Sequence, residues 1–285
     1  MALVDVKGTK SKTLYLLVTC SMDVNRANLA RAVIQNLKEQ NEEVAFFRDL
    51  LIFDNNSKYQ DHFKDFPVGV KVAYSNINIG YWSAIYWVLK NYQKIFQRNY
   101  QYIYIIESDL YHFGLRKISD CELFLDKNSN VGSVRTQEFS VRCRFLYDKK
   151  YAWFPWPKKN SVVSQRNAIT NEKVWFKKLS STESIWVTNF HTKLPALNRM
   201  SAMVSVFDRL AASSTKITEI EFMSFYHDIY KLTGLLDGGA FRILNDINSP
   251  GLSGSYSPQE VLDRSGYRGT RVDQIIVDGF DVKVV

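Results

Sequence analysis

Cysteine is too sparse and scattered in this chain to build anything. Cys20, Cys121 and Cys143 lie far apart with no C-x-x-C pair among them, which argues against a zinc knuckle and a disulfide scaffold. Long apolar runs are missing as well. No stretch approaches the ~20 consecutive apolar residues that span a bilayer, and residues 1–8 lack the apolar core of a signal peptide. The expectation is a soluble, cytoplasmic protein. The formal net charge of +8 is not gathered into any dense Lys/Arg block, so a dedicated nucleic-acid arm is unsupported. Spread positive charge points instead to nucleotides, phosphorylated substrates or phospholipid headgroups. Internal repeats and low-complexity tracts are also absent.

Apolar and aromatic residues are plentiful. At 285 residues and 46% apolar content, the chain can bury a substantial core in one large domain or two small ones. Leu14–Cys20 reads as a buried strand, and Ser21 and Asp23 offer cap oxygens to a helix over Val24–Gln40. Val44–Phe53 reads as the next strand, making a β-α-β unit with parallel strands. A third strand is expected over Val68–Tyr74, then a helix over Tyr81–Arg98 and a strand over Gln101–Glu107. This alternation predicts an α/β fold, a mixed and mainly parallel sheet flanked by helices.

The rhythm then changes. A short helix is expected over residues 118–127, a strand over Asn130–Phe139, and a hairpin over Val141–Phe154. Trp153-Phe-Pro-Trp-Pro157 is irregular, and residues 158–173 read as a polar loop or flap. A strand over Ile185–Phe190 precedes a helix that Pro195 opens and that runs to Leu210. Thr218–Leu232 reads as a helix closed by Gly234. Phe241–Leu244 is a short strand, residues 245–269 a mobile segment, and Val272–Val285 contains an edge strand.

Two carboxylates, Glu107 and Asp109, end the apolar run Tyr102–Ile106. They are either ordinary loop acids or ligands, since open α/β sheets bind ligands at the C-terminal ends of their strands. Their neighbours in order favour ligands. A strand ends in Thr19-Cys20-Ser21-Met22-Asp23, another in Asp54-Asn-Asn-Ser57, an Asn78-Ile79-Gly80 turn opens a long helix, and Glu107-Ser108-Asp109 follows.

This ordered set resembles the nucleotide-sugar-binding half of GT-A-type glycosyltransferases, most closely glycosyltransferase family 2. The resemblance covers residues 13–110 well and the remainder loosely. It implies a single GT-A-like (Rossmann-like) domain in which residues 1–110 bind the nucleotide sugar, 111–244 form the acceptor and catalytic half, and 245–285 make a flexible C-terminal segment. It implies that Asp54 contacts the base, that Thr19, Cys20 and Asp23 pack beside the base or ribose, and that Asn78 and Gly80 shape the same site with Ser108. Asp109 would bind Mn²⁺ or Mg²⁺ bridging the diphosphate. Glu107 departs from the family's first Asp, and its longer side chain would reach the ribose or a metal-bound water. Hard cations of this kind take carboxylate and phosphate oxygens, which neutralise charge on a departing phosphate.

An inverting transferase also needs a carboxylate that deprotonates the acceptor. The resemblance places it at Thr218-Glu219-Ile220-Glu221, where Ile220 splits the family's adjacent acids. Thr218-x-x-Glu221 is at the same time a capping box, which leaves Glu219 as the first candidate and Asp228 in reserve. His191 or His227 could complete a metal shell or be structural. Lys158, Lys159, Arg166 and Arg199 could meet phosphate or be surface charge. The implied activity is metal-dependent transfer of a sugar from a UDP- or GDP-type donor to a saccharide or lipid-linked acceptor, as in polysaccharide biosynthesis, with peripheral membrane contact compatible with the positive charge. The alternatives are a sugar-phosphate nucleotidyltransferase, disfavoured because no glycine follows the first strand, and a non-catalytic basic α/β binding module.

Overall fold

The computed structural model describes residues 11–40, 44–60, 69–108, 110–137, 160–179, 184–192, 194–213, 217–243 and 274–285. β1 (Thr13–Thr19) and β2 (Leu50–Asp54) are buried at every position, and β4 (Tyr102–Glu107) at every position but its last. Strands of that composition need cover on both faces. One cover consists of α1 (Val24–Gln40), the short α2 (Val44–Arg48) and α4 (Lys117–Lys127), packed on Tyr15, Leu17, Ile52, Tyr104 and Ile106. The other consists of α3 (Tyr81–Phe96), α5 (Met200–Ala212) and α6 (Glu219–Ile229), packed on Leu14, Leu16, Phe53, Ile103 and Ile105.

The remaining strands are β3 (Lys71–Ser75), β5 (Leu110–His112), β6 (Val131–Arg135), β7 (Asn160–Arg166), β8 (Lys173–Lys178), β9 (Ile185–Thr188), β10 (Ala196–Arg199), β11 (Leu232–Leu236), β12 (Phe241–Ile243) and β13 (Val282–Val284). Among the described residues they form one eleven-stranded sheet, ordered β13-β3-β2-β1-β4-β10-β6-β11-β9-β8-β7, and a separate β5–β12 pair. β1, β2, β3, β4, β6, β8 and β11 point one way; β7, β9, β10 and β13 point the other. The fold is therefore the expected mixed, mainly parallel α/β sheet flanked by helices.

Several elements differ from the sequence expectation. Val44–Arg48 is helical rather than strand: the register with β1 begins only at Leu50, and the helical turn before it sets Phe46 on Tyr15 and buries Phe47 in the same core. Pro195 opens no helix. The four residues after it fill the slot between β4 and β6, and the helix starts at Met200. The expected loop at 158–173 instead contains β7, which forms a hairpin with β8. Gly234 lies inside β11 rather than at a helix end: a Cβ there would meet Val134 Cγ2 at 2.9 Å and Ile185 Cγ2 at 3.2 Å. Gly132 is tighter still, with Tyr230 Cβ at 2.5 Å from where its own would stand. The tail does supply an edge strand, β13 on β3. The expected hairpin at 141–154, the Pro-rich run 153–157 and the expected mobile segment 245–269 lie outside the described residues.

This packing makes two stability changes measurable. Gly132→Ala should cost roughly 1–3 kcal/mol by overpacking against Tyr230, read as a lower urea midpoint with an unchanged slope. His112 is fully buried, and burial drives its imidazole from the ordinary 6.5 down to about 3. Above pH 6.5 both folded and unfolded chains hold it neutral. As pH falls from 6.5 towards 3 only the unfolded chain gains the proton, so stability falls, by up to ~1.4 kcal/mol per pH unit. His112→Phe should flatten that slope in urea titrations between pH 6.5 and 5.

Candidate functional site

Parallel pairing brings four strand ends to one edge. Thr19 pairs with Asp54, Asp54 with Tyr74, and Val18 with Glu107, so the C-terminal ends of β1 to β4 stand nearly level. Thr19, Cys20, Asp23, Asp54, Asn78, Gly80, Glu107 and Ser108, expected on separate loops, all belong to this edge.

The loops there are cross-linked. Asp54 is fully buried: Oδ1 accepts from the Ser57 N–H at 3.2 Å and faces the Thr19 hydroxyl at 3.5 Å, while Oδ2 accepts from the Gln60 amide at 2.9 Å. Burial raises its pKa above the usual carboxylate range. Asn78 Oδ1 accepts from the Gly80 N–H at 2.9 Å and from Asn55 Nδ2 at 2.8 Å, and its own amide reaches Cys20 Sγ at 3.4 Å. Asn55 Oδ1 takes the Ile79 N–H at 2.8 Å, and its backbone N–H meets Thr19 O at 2.8 Å. Gly80 precedes α3 with φ +83°, a conformation that favours glycine. Burial pushes the Cys20 thiol up to about 11. Asp23 caps α1 through the Arg26 N–H at 2.9 Å. Asn55, only 2% exposed, ties β1, β2 and the β3–α3 loop together, yet beside Asp54 in sequence it reads as one more turn residue.

Glu107 is half-buried on the α3–α5–α6 face and accepts a hydrogen bond from the Tyr81 hydroxyl, in the first turn of α3, at 3.0 Å. Ser108 beside it is half-buried, and Asp109 lies outside the described residues. Among the described residues no group of three or more His, Cys, Asp or Glu side chains converges. One or two carboxylates completed by substrate phosphates is the arrangement that suits Mg²⁺ or Mn²⁺, and Glu107 has the required hard oxygens.

Arg135 ends β6, and its alternation with Val134 puts it on the same face as Glu107. It is 7% exposed and stacks its guanidinium on Phe190 at 4.6 Å, and Phe190 in turn stacks on His191 at 4.2 Å. β10 alone separates β6 from β4, so Arg135 stands about 10 Å to the side of Glu107's strand. His191 thus shares the Phe190 ring with a buried cation that reads in the sequence as one more strand residue.

α6 completes the edge. Trp82, in the first turn of α3, stacks on Phe222 at 5.6 Å, which sets the first turn of α6 beside that of α3. Thr218 and Glu221 form the expected capping box, and hydrogen bonds from Thr218 hold the Glu221 carboxyl below its ordinary range. Glu219 is exposed in the same turn. Asp228 is near the other end of the helix, paired with Arg209 at 2.8 Å. His227 is buried there, and burial lowers its pKa.

All four basic candidates have other places or lie outside the described residues. Arg199 closes the C-terminus of α4, donating to the carbonyls of Leu125, Asn128 and Val131 at 2.6, 3.0 and 2.9 Å. Arg166 ends β7 at the opposite sheet edge and donates to Asn171 O at 2.6 Å. Lys158 and Lys159 lie outside the described residues.

No protein-family model and no curated protein matches the chain. Among solved structures, the chain is similar to S. aureus TarS 1-349, with a TM-score of 0.49 and 12% identity over 81% of this chain and 60% of that one. The same TarS segment in complex with UDP gives 0.48 and 13% over the same shares. Mannose-1-phosphate geranyltransferase from Thermus thermophilus gives 0.40 and 9%, over 80% of this chain and 75% of that one. The chain thus spans about 60% of the length of the TarS segment. No described helix is long and apolar enough to cross a membrane.

Asn55→Ala should cost about 1–3 kcal/mol, since it strands the buried Ile79 N–H. Calorimetric melting should drop accordingly.

Proposed function

We propose that the protein is a glycosyltransferase that moves a sugar from a nucleotide-diphosphate sugar to a hydroxyl of a saccharide or lipid-linked acceptor, with inversion. The observation that carries this reading is one juxtaposition. Glu107 is held by Tyr81, and the neighbouring Trp82 holds the first turn of α6, which bears Glu219. The strand-end carboxylate and the exposed carboxylate of α6 are thus tied to neighbouring helix turns, and in this reading they are the donor-side and the acceptor-side acid. The order of motifs that resembles glycosyltransferase family 2 supports the same reading.

The nucleobase would lie against the Thr19–Asp23 loop, with a base N–H replacing the amide of exposed Gln60 on Asp54 Oδ2. Asn55 and Asn78 keep that loop set in shape before binding, which lowers the ordering cost of association. Glu107 and Asp109 would hold Mn²⁺ or Mg²⁺, which when bound neutralises charge on the leaving diphosphate. Arg135 lies on the same face and adds fixed positive charge near the diphosphate or an anionic acceptor group. Glu219 is the base. Glu221 is less basic and occupied in the cap, and Asp228 lies at the wrong end of the helix.

Calorimetry with UDP- and GDP-sugars, with and without Mn²⁺, tests the assignment. Binding should require nucleotide and strengthen at least tenfold with the metal, and Asp109→Ala should abolish the strengthening. Glu219→Gln should lower kcat by about 10²–10⁴-fold, the usual worth of a general base, with donor Kd changed less than twofold. If neither nucleotide series binds under either condition, the transferase reading fails.

A further inference from the structure

Asn36 is an unusual residue for its position. It lies on the buried side of α1, 2% exposed, where an apolar residue would pack as well and helix propensity disfavours asparagine. Both halves of its amide are used on one residue: Oδ1 accepts from the His112 N–H at 2.7 Å, and Nδ2 donates to the His112 carbonyl at 2.8 Å. A side chain here imitates a neighbouring strand. β5 needs such a neighbour, because it has left the main sheet and, among the described residues, pairs on its other side only with β12, through His112 opposite Phe241.

β5 begins three residues after Glu107. Glu107 therefore lies a short way in sequence from two anchors: β4, set in the main sheet, and β5, held by Asn36. The His112 ring adds little direction of its own. Nε2 lies 3.4 Å from the Tyr104 hydroxyl, which also has Thr136 at 3.1 Å, and Nδ1 has no hydrogen-bond partner among the described residues.

We propose that Asn36 is a positioning residue: by clamping the backbone of His112 to α1 it sets the path of the chain that leaves Glu107, and so the carboxylate geometry at the strand edge. The inference rests on the transferase reading for its functional consequence, though not for its structural part. The nucleobase loops, tied through Asn55 and Asn78, have no share in this clamp. Asn36 should therefore affect the metal-dependent part of nucleotide binding and leave the metal-independent part alone.

The test compares the full-length protein with Asn36→Ser and Asn36→Leu, and with Gly132→Ala as a destabilised control far from the turn. Three quantities are measured: amide hydrogen exchange over residues 107–112, the Kd of UDP without metal, and the Mn²⁺ concentration giving half-maximal UDP binding. In the Asn36 variants, exchange at 110–112 should rise at least tenfold and the Mn²⁺ midpoint at least fivefold, with the metal-free Kd within twofold. Gly132→Ala should move none of these. Unchanged exchange at 110–112 overturns the clamp itself. Faster exchange with an unchanged Mn²⁺ midpoint, or an equal loss in both binding readouts, overturns the positioning role. If the unaltered protein binds no UDP with or without Mn²⁺, the transferase reading and the functional role fall together, while faster exchange in the variants would still establish the clamp.

Discussion

Two-sided burial of β1, β2 and β4 is the constraint on which the rest depends. A strand covered by helices on both faces cannot carry a polar side chain in its middle without a partner, so polar chemistry is displaced to the strand ends. The two edges then diverge. At the N-terminal edge the polar groups satisfy one another. Buried Asp49 accepts from Arg98 and Tyr100, both at 2.7 Å; Asp126 accepts from Tyr102 and Lys12; and Arg199 closes α4. A groove of about 660 Å³ opens there, among Tyr92, Tyr102, Asp126, Arg199 and Tyr230, but its charged members already have internal partners. The residues proposed for the chemistry lie at the other edge.

That edge is built from loops that brace each other rather than from one rigid element. Asn55 joins β1 and β2 to the turn before α3, Asn78 holds the same turn from within, and Tyr81 reaches from α3 to Glu107. The C-terminal residues contribute from outside. The Asp281 N–H donates to Asn76 Oδ1 at 2.9 Å and the Asn76 N–H to Asp281 O at 3.0 Å, while the Ile276 N–H donates to Ser83 Oγ. The tail, whose alternation reads as an edge strand, thus ends as a strap over the β3–α3 connection as well.

The second half of the chain reaches the same edge by a less regular route. β10 runs against β4 and β6, which places the start of α5 at the N-terminal edge, where the Met200 N–H donates to Gln101 O. α5 and α6 then form an antiparallel pair, and α6 returns towards β11 beside Gly132, where Tyr226 donates to the glycine carbonyl. Glu219 is near the C-terminal strand ends because the helix that carries it must finish where β11 begins. Asp228 is at the other end of that helix for the same reason.

Local pattern was sufficient for most of the first half of the chain, the helical turn Val44–Arg48 excepted. Strong two-faced apolar runs, helix caps and short connections leave one arrangement, so β1, α1, α3 and β4, and the convergence of Thr19, Asp54, Asn78, Gly80 and Glu107, were legible from residue order. The Thr218–Glu221 cap was legible for the same reason, since both partners lie within one turn. Tertiary structure decided what depends on distant partners. Ala196–Arg199 became a strand because a slot stood open between β4 and β6. Gly234 became a strand glycine because Val134 and Ile185 press on it. Arg199 was drawn to carbonyls about seventy residues away in sequence, and Arg135, Asn55 and Asn36 acquired their roles from neighbours on other elements. Propensity and spacing act within a few residues, whereas hydrogen-bond satisfaction and close packing are settled only when remote segments meet.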